Sequence, residues 1–269
     1  MTKTNDPPAE QSVAVIKENE YLALQGSPDN LALVMATNLA GSEVSEFDLD
    51  RVGLPGAGGL AWTVPDINGE PVARTELRGV ILLHGNRRAY WEESFEDSGG
   101  GSPPDCLSND GVHGSGRIAG DEKKRAGIDR QCRQCPMSQW GSASSGEGQA
   151  CQQRKLLFFL RPGDTLPLVI DLAPTSLRPL SRFMLRLTSR GISCHGAEVA
   201  LGLKSTQSKG GITYSVISPR LVATFPHDET ERLAKMAAAF RPFFEKSEAW
   251  KPEAEAKPEA RGWEDGIIE

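Results

Sequence analysis

Apolar positions along this chain fall into short runs bounded by glycine and proline, and most runs have the length and residue types of strands. Leu60-Ala61-Trp62-Thr63-Val64 reads as a strand that turns at Pro65 and again at Asn68-Gly69. Thr75 to Tyr90 is the clearest strand of the first half. It begins with Leu77 and Val80-Ile81-Leu82-Leu83 and finishes basic and aromatic at Arg87-Arg88-Ala89-Tyr90-Trp91. Lys155 to Leu160 and Leu166 to Leu172 flank a turn at Pro162-Gly163-Asp164, and Glu198 to Thr206 joins Gly211 to Phe225 through a glycine-rich hairpin. Three segments have helical spacing instead: 28–41, 174–191 and 228–246. In the second, Leu177, Leu180, Met184 and Leu187 form one stripe while Arg178, Arg182, Arg186 and Arg190 recur every four residues on another. Residues 13–27 have no clear period, and Leu54 to Gly59 reads as a loop.

Between the strands ending at Trp91 and beginning at Lys155, the pattern fails and cysteines take over. Four of the five cysteines lie here: Cys106, the pair Cys132-Arg133-Gln134-Cys135, and Cys151. A C-x-x-C-P turn lets two thiolates grip one ion, and zinc accepts four soft ligands without directional preference. The surrounding sequence, rich in Gly, Ser, Asp and Lys, could hardly build a packed interior alone. A bound ion would supply that organisation, because metal binding and folding are coupled in such segments. Disulfides and free thiols are the competing readings, with His113 as a substitute ligand or a plain loop histidine. Cys194, far along the chain, reads as a small buried residue.

Composition sharpens the choice. Met1 to Ser12 is polar, with no apolar core of an export signal, and no apolar run approaches the roughly 20 residues that span a bilayer. We therefore expect a cytoplasmic protein without membrane contact, in a compartment that favours metal over disulfide. The formal charge of −6 is unevenly spread. Residues 154–209 hold nine basic residues and three acids, a net +6, whereas 245–269 hold eight acids and four bases, a net −4. A basic surface with nearby aromatics can follow a phosphate backbone and stack bases. The expected contacts are Arg87, Arg88, Tyr90, Trp91, Trp140, Lys155, Arg178, Arg182 and Arg186, with Phe158 and Tyr214 as further stacking candidates.

Catalysis is not expected. No H-x-E accompanies the cysteines, as a zinc deaminase would need, and no H-E-x-x-H, G-x-S-x-G or phosphate-binding G-x-x-x-x-G-K-[ST] occurs. A zinc held by four thiolates also lacks an open position for substrate water.

The order of parts (strands, a cysteine-rich insertion, strands, a helix before the final hairpin, an acidic end) resembles the OB-fold single-stranded DNA-binding proteins of phages and bacteria, including the T4-type helix-destabilising protein. That resemblance implies an α+β, mainly β chain with an OB-like barrel. Its first part would span 13–97, with an N-terminal helix, and the remainder 154–246. Between them, 98–153 would be a structural zinc insertion held by Cys106, Cys132, Cys135 and Cys151. Residues 1–12 and 247–269 would be disordered, and the acidic end would recruit replication or recombination proteins through Trp263, Glu264, Asp265, Ile267 and Ile268. Cys151-Gln152-Gln153-Arg154-Lys155-Leu156 also resembles the recombination directionality factors that redirect serine integrases, which implies a protein-binding regulator instead. A zinc enzyme of nucleic-acid metabolism is the third alternative.

Overall fold

One long strand organises the molecule. The computed structural model describes residues 14–15, 21–25, 28–40, 48–93, 104–121, 128–144, 148–208 and 210–245. The two expected disordered ends lie outside these, and with them Trp263, Glu264, Asp265, Ile267 and Ile268. In chain order the elements are β1 (Ala14–Val15), α1 (Leu22–Gln25), α2 (Pro28–Leu39), β2 (Arg51–Gly53), β3 (Trp62–Pro65), β4 (Pro71–Arg74) and β5 (Glu76–Tyr90). Then come β6 (Cys106–Ser108), β7 (His113–Gly116), β8 (Asp129–Gln131), two 3-10 turns (Cys132–Gln134 and Pro136–Ser138), β9 (Gln152–Leu160) and β10 (Leu168–Leu172). The chain closes with α3 (Pro174–Thr188), β11 (Ala197–Gln207), β12 (Thr213–Thr224) and α4 (His227–Glu245). This is an α+β chain, mainly strand. Among the described residues no helix is long and apolar enough to cross a membrane.

β5 pairs antiparallel with β9 along most of its length. Its other edge takes β11 near the start and β6 at the end. An irregularity between Ile81 and Leu83 lets the strand bend between these two neighbourhoods. Gly79 marks the closest approach, since any Cβ there would run into the Leu160 carbonyl.

The central strands are buried on both faces, which is why Leu156 to Leu160 reads as an unbroken apolar run rather than an alternation. One face holds Ile81, Leu157, Phe159, Ile170 and Leu172 against Leu180, Phe183 and Leu187 of α3. The other holds Val80, Leu82, Leu156 and Phe158 against Leu233, Ala237 and Phe240 of α4. Phe158, expected among the stacking residues, is thus part of the core. Cys194 is half-buried and packs against the α3 side.

The expected barrel is not closed by strand pairing: among the described residues the ladder remains open. A strap from β2 to β3 bridges the gap instead. β2 pairs with the outer edge of β10, and the Gly59 carbonyl accepts the Ser215 hydroxyl on β12 at 2.8 Å. Gly58 has a positive φ of 73° and packs against Ser205 and Thr213 with no room for a side chain. Trp62 then enters the core, fully buried, its Nε1–H donating to the Leu201 carbonyl at 2.8 Å.

Candidate metal centre and basic face

Two cysteines arrive on opposite flanks of one strand end. Cys106 opens β6 opposite Tyr90, while Cys151 immediately precedes β9, whose Gln152 pairs with Ala89. The other two come on the C-x-x-C-P turn, where the Cys135 N–H donates to the Cys132 carbonyl at 3.2 Å. Pro136, with no N–H to satisfy, opens the next 3-10 turn. The Ser138 hydroxyl lies against the carbonyls of both Cys132 and Cys135, and the Gln139 amide donates to those of Arg133 and Cys135. Backbone bonds from Cys132 to Val112 and from Cys151 to Met137, both 2.8 Å, tie the turn to the strands.

All four thiols are buried and none forms a disulfide. A Cβ built on Gly114 of β7 would lie 3.3 Å from the sulfurs of both Cys106 and Cys132. Those two sulfurs therefore face one point, and glycine leaves the space between them. Burial pushes the Cys106 thiol up to about 12, with the other three thiols adding to it and Arg130 opposing. Burial likewise pushes Cys151 up to about 11, opposed by the positive charge of Arg88. Among the described residues, no three His, Cys, Asp or Glu side chains are set so that they could hold an ion. What suits a soft dication is the donor chemistry: four unbridged, buried sulfurs, two of them around a space that a methyl group would fill.

His113 is exposed, and its Nδ1 lies 2.8 Å from Asp110 Oδ2. Asp110 also accepts the N–H groups of Val112 and His113, each at 2.7 Å. The histidine therefore belongs to the exposed turn that Asp110 builds at the start of β7.

The register sorts the expected nucleic-acid residues by face. Lys155 pairs with Leu172 on one side and Asn86 on the other, so it shares the α3-covered face with Leu172. Arg88, two residues beyond Asn86, lies on that same face, as does Tyr90. α3 starts two residues after Leu172 and presents Arg178, Arg182 and Arg186 to solvent, with no acidic residue in the helix. Arg87 and Arg154 pair on the opposite face; Arg154 binds Asp171 at 2.9 Å, and Arg87 is buried at 5% exposure. Tyr90 is also buried, packed with Cys106, Cys135 and Cys151. Its ring is a wall of the thiol cluster and is not available for stacking. Trp91 and Tyr214 are half-buried, whereas Trp140 is 80% exposed on the turn beyond Ser138. Gly114, Arg130 and Ser138 carried no signal in the sequence.

A groove of about 900 Å³ between the β3–β4 hairpin and the β9–β10 turn lies away from both features. Two of its arginines are already answered, Arg78 by the buried Glu198 and Arg161 by Asp164. Compared with protein families, curated proteins and solved structures, the chain matches none.

Proposed function

We propose that this chain binds single-stranded nucleic acid along the α3 face with little base preference, and that Cys106, Cys132, Cys135 and Cys151 hold a structural zinc at the far end of that face. The observation that carries the reading is the shared face itself. The arginines of α3, Lys155 on β9 beside the start of that helix, and the thiol cluster follow one another on one side of the sheet. Such a track suits a phosphate backbone, and the exposed Trp140 adds an apolar face on which a base could stack.

Connectivity supports the same reading. β5, β9, β10, α3, β11 and β12 follow the order of an OB fold, with antiparallel pairs β5–β9, β9–β10, β5–β11 and β11–β12. The cysteine segment then occupies the first inter-strand loop, a position that OB folds use for ligand contact. Zinc in this role supplies folding energy and no chemistry on a substrate.

A protein-binding regulator is the second reading, favoured by α2, where Leu33 and Val34 are 66% and 53% exposed. Titrating labelled oligo-dT of graded length with the full, metal-loaded chain separates the two. Binding that tightens with length and then saturates supports the strand-binding reading; no binding at low salt overturns it in favour of a protein partner.

A further inference from the structure

We propose that Arg88 and Arg130 balance the charge of the thiol centre and do not serve as contacts for nucleic acid. The proposal rests on the zinc reading above. A dication with four thiolates leaves two negative charges in a place where the sulfurs are almost fully screened from water, and buried charge is costly unless it is neutralised and hydrogen-bonded. Two guanidinium groups occupy that neighbourhood, one associated with each strand-borne cysteine. Arg88 stands on β5 opposite Gln153, on the face that Cys151 takes two residues earlier, and its charge opposes the upward push of burial on that thiol. Arg130 stands on β8 directly opposite Gly114, the residue whose missing side chain leaves room between Cys106 and Cys132.

Both side chains are held but not used up. Arg130 Nη2 donates to Asp121 Oδ2 at 2.6 Å and to the Gly116 carbonyl at 3.3 Å, which fixes the planar group at 15% side-chain exposure. Its Nε is buried with no acceptor among the described residues, and so is Nη1 of Arg88. A buried donor without a partner calls for an explanation. Thiolate sulfurs are acceptors, and outer hydrogen bonds of this kind typically tune metal affinity 10–100-fold, on the order of the ligands' own supporting shell. Lysine could supply the charge but not the planar fork, so charge and packing can be told apart by substitution.

The test uses the full reduced chain loaded with zinc, or with cobalt as a spectroscopic stand-in, and challenges it with a chelator. Arg88→Met and Arg130→Met keep an apolar stem and remove the charge. We expect each to weaken metal retention about 10–100-fold, with the cobalt–thiolate absorption band unchanged in shape because the ligands are the same. Arg88→Lys and Arg130→Lys should stay close to the parent, and fully loaded Arg88→Met should bind oligo-dT as the parent does. The proposal is overturned if Arg88→Met holds metal normally while losing oligo-dT affinity, or if the lysine variants lose metal as readily as the methionine ones. A parent chain that takes up no metal overturns the zinc reading itself, and this proposal with it.

Discussion

Tyr90 and Cys106 are direct cross-strand partners at the far end of β5, so the ladder that builds the core also delivers the first of the four thiols. The cysteine segment is therefore a continuation of the main sheet through β6, β7 and β8, rather than a separate body. Among the described residues its apolar cluster is small: Tyr90, Ile118 and three of the cysteines, with Met137 and Ala150 at its edge. On the zinc reading, that cluster depends on metal in a way the two larger clusters do not.

Cys132→Ser should accordingly loosen the cysteine segment while leaving the rest folded. The measurement is hydrogen exchange on the metal-loaded chain. Protection should fall across 104–144 and persist across 156–160, and a uniform loss over both regions would contradict the account.

Gly114→Ala is a milder and more local change. Its methyl group would sit 3.3 Å from two sulfurs, tighter than ordinary contact, so the neighbours must give way. We expect weaker zinc retention with little change in the melting of the main sheet. Unchanged retention would mean that the space in front of Gly114 is not where the ion sits.

Trp62→Ala tests the strap that closes the open side of the sheet. A fully buried tryptophan with a satisfied N–H should cost about 3–5 kcal/mol on truncation, read as a drop in the denaturant midpoint. A loss near that of a surface substitution would mean the strap is dispensable.

Much of this fold was legible in the sequence because long buried strands and amphipathic helices announce themselves. β5, β10, β11, β12, α2, α3 and α4 fall close to their expected spans, since each carries its own apolar pattern. What was missed has no such pattern. β6, β7 and β8 are three or four residues each, with Leu107 their one aliphatic side chain, and they exist because β5 offers an edge. β2 is likewise a three-residue strand created by the edge of β10. The cysteines were visible as a set, but the faces of Arg87 and Lys155 were not. Which face a strand residue takes depends on register, and a one-residue step reverses it. Tyr90 was expected among the stacking residues because it closes a basic, aromatic strand end, whereas its ring is packed into the thiol cluster.

Trp140→Ala should leave stability unchanged, because the ring is already in solvent. If the ring stacks on a base, its loss should weaken oligo-dT binding by about 1–3 kcal/mol, and its fluorescence should be quenched when the parent binds. Undiminished affinity without quenching would assign the ring to some other contact.

The most direct test of the central claim is the salt dependence of oligo-dT affinity for the parent and for the Arg182→Ser/Arg186→Ser double variant. Each phosphate neutralised on a single strand contributes about −0.7 to the slope of log affinity against log salt. If α3 lies along the strand, the double variant should bind more weakly at low salt, with a slope shallower by about 1.4, two such contributions. A parent and variant with equal slopes and equal affinities would place the strand elsewhere and contradict the account.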